Sequence, residues 1–160
     1  IGNASYHNGF TAGFGTFAHQ FGKGLAVDYV ATANVQVTNN TLYGNRNAGL
    51  FLGATPAAGV ISRNNIMMNN GIEVENNSTA ANGNLDYDLI YDSVGGTLIS
   101  WNGVTYTSLA TFLARGGNTT WLNSISSNPS FIDAASGNFC LSVGSPACQA
   151  GESGTNMGAN

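Results

Sequence analysis

Val35-Gln36-Val37-Thr38-Asn39-Asn40-Thr41-Leu42-Tyr43 and Val60-Ile61-Ser62-Arg63-Asn64-Asn65-Ile66-Met67-Met68 are two copies of one unit, offset by 25 residues from Asn40 to Asn65. Each copy opens on apolar residues, carries a pair of asparagines and leads into a polar turn, at Asn45 and at Asn69-Asn70. A fixed period of this length marks a solenoid, because one short unit cannot bury its apolar face until a neighbour stacks on it.

The unit recurs on both sides. Upstream, Gly2-Asn3-Ala4-Ser5-Tyr6-His7-Asn8-Gly9 carries its end. Downstream, Leu85-Asp86-Tyr87-Asp88-Leu89-Ile90-Tyr91 repeats it with Asp88 in the asparagine column. That column reads Asn3, Asn40, Asn65, Asp88, with spacings of 37, 25 and 23. The first interval is too long by about one half-unit, so it predicts a loop bulging from a corner within 11–23. Stacked amides in one column can donate and accept along the axis.

A second column supports the register. Gly24-Leu25-Ala26-Val27-Asp28, Gly49-Leu50-Phe51-Leu52-Gly53 and Gly71-Ile72-Glu73-Val74-Glu75 are three glycine-led strands with alternating faces. This alignment stacks Leu25/Leu50/Ile72 and Val27/Leu52/Val74 inward. It turns Ala26/Phe51/Glu73 and Asp28/Gly53/Glu75 outward.

These units resemble the right-handed parallel β-helix repeat of pectate-lyase-like proteins. The tail from Asn128-Pro129-Ser130-Phe131-Ile132-Asp133 through Leu141-Ser142-Val143-Gly144-Ser145-Pro146-Ala147 is similar to the closing module of many of them. The resemblance implies an all-β chain: a right-handed parallel β-helix of about three to four turns, one short helix and a C-terminal strand/turn cap. It implies one domain over 1–160, with repeat turns over 1–94 and a hairpin, helix and capping module over 95–160. In the family, such a hairpin and helix cover the end of the solenoid. The fold carries lyases, hydrolases, epimerases, adhesins and phage spikes, so it does not choose a reaction.

Between the repeat and the tail, Thr97–Trp101 and Val104–Tyr106 flank Asn102-Gly103, a two-residue hairpin turn signal. Residues 107–115 read as a helix, capped by Thr107 or Ser108, with Leu109, Phe112 and Leu113 on one face and Gly116 as the stop.

Composition narrows the partners. Only 4 basic side chains stand against 8 acidic ones, a formal charge of −4. Four cations cannot track a phosphate backbone, so nucleic acid is excluded as a partner. No apolar run is long enough to span a membrane. No signal peptide is visible, and Ile1 begins at the trailing turn of a unit. That implies a removed N-terminal region, or an open end that packs on another copy or another chain. Cys140 and Cys148 flank the Gly144-Ser145-Pro146 turn, and a disulfide between them would imply a secreted, oxidising setting.

Three sets of residues could carry chemistry. Asp28, Glu73 and Glu75 fall on the outward strip. Asp28 and Glu75, two turns apart, suit the pair of carboxylates of an inverting glycosidase, and the three together suit Ca²⁺. Lys23 precedes the first glycine-led strand, with Arg46 and Arg63 on nearby turns. β-Elimination from a uronic acid needs a base and a cation, and family lyases use Arg or Lys with Ca²⁺. His7 and His19 could each act as an acid or base at neutral pH. His19 lies in a Gly/Phe-rich segment that could wall a sugar, and Phe51 and Arg63 could contact one. The leading expectation is an extracellular polysaccharide lyase or glycoside hydrolase acting on an acidic or plant cell-wall polysaccharide. The alternative is a non-enzymatic structural or adhesive solenoid that self-assembles or stacks through its open first turn. An ice-binding face would need a Thr-x-Thr ladder, and the chain offers only Thr105-Tyr106-Thr107.

Overall fold

The computed structural model describes residues 2–9, 22–28, 35–53, 59–78, 84–116 and 118–159. The expected loop within 11–23 lies mostly outside these. Among the described residues, fourteen short strands and one α-helix follow in chain order: β1 (Ala4–Tyr6), β2 (Leu25–Val27), β3 (Gln36–Thr38), β4 (Thr41–Tyr43), β5 (Ala48–Leu52), β6 (Ile61–Arg63), β7 (Ile66–Met68), β8 (Ile72–Asn76), β9 (Asn84–Leu85), β10 (Leu89–Tyr91), β11 (Ile99–Trp101), β12 (Val104–Tyr106), α1 (Leu109–Leu113), β13 (Phe131–Asp133) and β14 (Asn138–Leu141).

The strands sort into three parallel sheets. Sheet A runs β1-β4-β7-β10 and sheet C runs β3-β6-β9. Sheet B runs β2-β5-β8-β11, with β12 folded back antiparallel on its edge. Each circuit of the chain thus contributes one strand to C, then A, then B. The first described circuit contributes β1 and β2. An antiparallel pair, β13-β14, stands apart from these sheets. The 25-residue register of the repeat holds as expected: Gln36 pairs with Ile61 and Thr41 with Ile66.

Stacked apolar side chains fill the space between the sheets. Leu25, Leu50, Val74 and Ile99 form one register column of sheet B. Leu42, Met67 and Ile90 form the inner column of sheet A, all essentially inaccessible. Burial of such columns is the main stabilising term, at about 25 cal/mol per Å² of apolar surface.

The register of sheet B departs from expectation by two residues. Leu50 pairs with Val74, not Ile72, and Phe51 pairs with Glu75, not Glu73. The cause is a corner. Three residues separate Asn45 from Gly49, whereas two separate Asn70 from Glu73. Gly71 therefore does not lead the strand. It tucks beneath the carbonyls of Arg46 and Asn47, where any Cβ would collide with both.

Beyond the last circuit, Asn102 and Gly103 take φ of 50° and 81°, the left-handed pair that a tight hairpin demands. Ser108 caps α1, its hydroxyl accepting from the Thr111 amide at 3.2 Å. Phe112 meets Trp101, Tyr106 and Trp121 at ring separations of 5.2–5.4 Å. These aromatics pack into the core cluster beside the last strand of sheet B.

The tail does something different. The outer face of sheet A is itself apolar, with Ile66, Met68 and Leu89 buried under Ala147 and Met157. The tail runs back along that face to the first circuit. Gly158 donates to the Asn64 carbonyl, Ala159 donates to the Thr41 hydroxyl, and Phe139 packs on Tyr6 at 5.2 Å. It straps the circuits together along one side and does not cap the end. Among the described residues, no helix is long and apolar enough to cross a membrane.

Candidate functional site

Among the described residues, the recurring corners out of sheets C and A pair a left-handed residue with a following asparagine. At the C-to-A corner, Asn39 and Asn64 take φ of 58° and 59° and precede Asn40 and Asn65. At the A-to-B corner, His7, Gly44 and Asn69 take φ of 53°, 60° and 57° and precede Asn8, Asn45 and Asn70. Gly and Asn are the residues that tolerate this conformation best.

Two ladders result. In the first, the backbone and side-chain amides of Asn40 both donate to Asn65 Oδ1 at 2.9 Å. Asn65 donates likewise to Asp88 Oδ1, and Asn3 to Asn40. The second ladder runs through Asn8, Asn45 and Asn70 in the same sense. Sequence reading took these asparagines only as turn residues. The signal was present, since the spacings from Asn8 to Asn45 and Asn45 to Asn70 are also 37 and 25.

Both ladders end in a buried carboxylate. Asp88 accepts from Asn65 on Oδ1, and from the Ser62 hydroxyl (2.7 Å) and the Trp121 indole N–H (3.0 Å) on Oδ2. Its burial pushes its pKa up to about 6. The second ladder lacks a fourth asparagine. Glu73, opposite Gly49 in the sheet, fills that place and accepts both the backbone and side-chain amide hydrogens of Asn70. Burial pushes its pKa up to about 8. Glu73 was expected on the outward strip as a catalytic or Ca²⁺-binding group. The shortened corner carries it inside, where it is inaccessible.

The remaining candidates divide. Asp28 and Glu75 do face outward from sheet B, but not in one column: Asp28 lies opposite Gly53, and Glu75 opposite Phe51. The Asp28 carboxylate lies across Gly53, in the space a Cβ there would need. Glu75 accepts from the Asn77 amide at 2.9 Å. Lys23 places its ammonium 3.2 Å from the centroid of Phe51, which is largely buried although it belongs to the outer face. Among the described residues, no three His, Cys, Asp or Glu side chains gather as metal ligands.

Arg46 stays on the A-to-B corner, donating to the Gly9 carbonyl at 3.3 Å. Arg63 is not a free surface cation. It is buried, it bonds the carbonyl of Ser62 and both oxygens of Asn84, and it pairs with Glu152 of the tail at 3.3 Å. His19 lies outside the described residues. Cys140 and Cys148 are unbridged and both exposed. Phe139 faces the aromatic cluster, so the strand's alternation turns Cys140 to solvent. The expected disulfide is thus absent, and the oxidising setting loses that support.

His7 lies at an open cavity of about 460 Å³, lined also by Tyr43, Gly44 and Asn69. The last three were not singled out in the sequence, although His7, Gly44 and Asn69 share one column of the turn.

Comparison with protein-family models, with curated proteins and with solved structures returned no match.

Proposed function

We propose that this chain is a right-handed parallel β-helix, of the pectate-lyase-like kind, that hydrolyses a polysaccharide on the outer face of sheet B. The observation that carries the reading is the placement of Asp28 and Glu75. Asp28 leans one circuit along the axis onto Gly53, and Glu75 leans along its strand to Asn77, which follows the Asn76 paired with Leu52. Adjacent strands lie about 4.8 Å apart, so the two carboxylates approach within roughly two strand spacings. That suits the separation of about 6.5–9.5 Å at which one carboxyl protonates a leaving oxygen and the other activates water. Lys23 beside them, seated on the buried ring of Phe51, offers a cation to a sugar chain, whereas the ring itself is not open to the contact expected of it. A polymer substrate implies an extracellular setting.

Hydrolysis is favoured over Ca²⁺-assisted elimination by the donor set. Glu73 faces inward, which leaves two outward carboxylates, and Arg63 is committed to the tail. The test is a polysaccharide panel read for reducing ends and at 235 nm, with Ca²⁺ and with EDTA. Reducing ends without ultraviolet absorbance, lost in Asp28→Asn and Glu75→Gln, are expected. Unsaturated products that vanish in EDTA would replace this reading with a metal-assisted lyase.

One observation favours a second reading, a structural or adhesive module. Among the described residues, β1, β2 and β3 have no neighbour on their outer edges. Such edges pair readily with another chain. Silence across the panel together with concentration-dependent oligomers would select it.

A further inference from the structure

We propose that the cavity at the A-to-B corner binds one neutral sugar ring, as a subsite separate from the Asp28/Glu75 strip. It is formed where His7, Gly44 and Asn69 stack in one left-handed column. His7 and Tyr43 set their rings 5.7 Å apart and tilted by 51°, which makes an angled aromatic wall. Gly44 lets the imidazole lie close over the backbone: a Cβ there would be 2.7 Å from His7 Cδ2. The side-chain carbonyl of Asn69 accepts from the Ser93 amide, and its N–H₂ has no partner among the described residues. The Tyr43 phenol likewise has none.

This combination selects a class of ligand. A pyranose has an apolar C–H face and a rim of hydroxyls. The face stacks on an aromatic ring, whose quadrupole favours it, and the rim takes a donor and a phenol. A volume of about 460 Å³ is in the range of small-ligand cavities. Among the described residues, no Lys, Arg, Asp or Glu lines it, so the described lining does not complement a uronate or a phosphate. The subsite takes its class of molecule from the proposed polysaccharide reading, but it needs no cleavage to be real.

The corner's own column supplies the test variants. Gly44→Asn keeps the left-handed backbone, which Asn69 already shows with φ of 57° against 60°, and its side chain pushes the His7 imidazole aside and so breaks the wall. Asn69→Gly removes the free amide and keeps the corner. The probes are cellotetraose, xylotetraose, mannotetraose and tetragalacturonate, added to the whole chain while the imidazole resonances are followed by NMR. The chain has 2 histidines, so the signals are few. A saturable shift of His7 with at least one neutral tetraose is expected, about tenfold weaker in Gly44→Asn and in Asn69→Gly. Absence of a shift with every neutral probe, wild-type binding by both variants, or preference for tetragalacturonate would overturn the proposal. Reducing-end release separates the two claims. His7 shifts without cleavage sink the hydrolase and leave the subsite standing, and cleavage without shifts does the reverse.

Discussion

The carboxylate of Glu73 accepts both the backbone and the side-chain amide hydrogens of Asn70, where a fourth asparagine would otherwise sit. Its column neighbours in sheet B are Gly24 and Gly49, and a Cβ on either would strike the amide of the next circuit's asparagine. In the third circuit that asparagine is missing, so the glycine position can carry a long side chain that reaches the vacant place.

Burial sets the pH dependence of this pair. Folding raises Glu73 from 4.5 to about 8, so the folded chain holds its proton more tightly than the unfolded chain. Its stabilisation is complete below pH 4.5 and is lost as pH rises through 8. Asp88, raised from 3.8 to about 6, acts in the same direction over a lower window. The urea midpoint is therefore expected to fall from acid to mildly alkaline pH. Glu73→Gln should flatten the segment between pH 6 and 8. An unchanged slope in that variant would show that Glu73 does not titrate there.

Asp88→Asn tests the other terminus and should behave differently. Asp88 accepts from four donors, and its Oδ2 faces the Trp121 indole N–H and the Ser62 hydroxyl. With the amide carbonyl turned to Asn65, its N–H₂ would face the Trp121 donor. A loss of about 1–3 kcal/mol is expected from urea unfolding at neutral pH. Equal costs for Asp88→Asn and Glu73→Gln would contradict the difference in donor counts.

The Arg63–Glu152 pair is asymmetric. The Arg63 side chain is 9% exposed and bonds Ser62 and Asn84 as well, whereas Glu152 is 51% exposed. Arg63→Ala should cost about 2–4 kcal/mol, since it removes a buried side chain together with its bonds to Ser62, Asn84 and Glu152. Glu152→Ala should cost under about 1 kcal/mol, the range of exposed ion pairs. Thermal or urea unfolding of the two single variants decides it.

Gly53→Ala probes the outer face without replacing a carboxylate. Gly53 is not among the residues with positive φ, so alanine suits its backbone, but the new methyl collides with the Asp28 carboxylate. Reducing-end release should drop by about tenfold or more with the far-ultraviolet spectrum unchanged, because small displacements of a reacting group are costly. Full activity would remove Asp28 from the mechanism.

Both thiols should react. Iodoacetamide added to the native, unreduced chain is expected to label Cys140 and Cys148, giving two adducts by mass spectrometry. A single unlabelled species that gains adducts only after reduction would restore the bridge.

Much of the fold was legible because its rules are local. The repeat of Val35–Tyr43 in Val60–Met68 fixes two sheets, and the Asn40/Asn65/Asp88 column and the Asn102-Gly103 hairpin follow the sequence directly. What failed was longer in range. A one-residue difference between the Asn45–Gly49 and Asn70–Glu73 corners moves Glu73 inside, and alternation alone cannot register it. Arg63 reads as a surface cation until the tail, 89 residues on, lies against it. The corner cavity needs three circuits to exist, so its lining is scattered between His7 and Asn69.

The ladders also give the molecule a grammar. From one ladder residue to the next the hydrogens run one way, while the side-chain amides of Asn45, Asn65 and Asn70 also donate back to carbonyls of the preceding circuit. Asp88 and Glu73 have no side-chain amide to offer a further circuit, so they act as full stops. The length of the coil is thereby written in two residues. Extra copies of the Val35-to-Gly59 unit spliced in ahead of Val60 should be read as further clauses of the same sentence, while copies placed after Asp88 would have no hydrogens to receive.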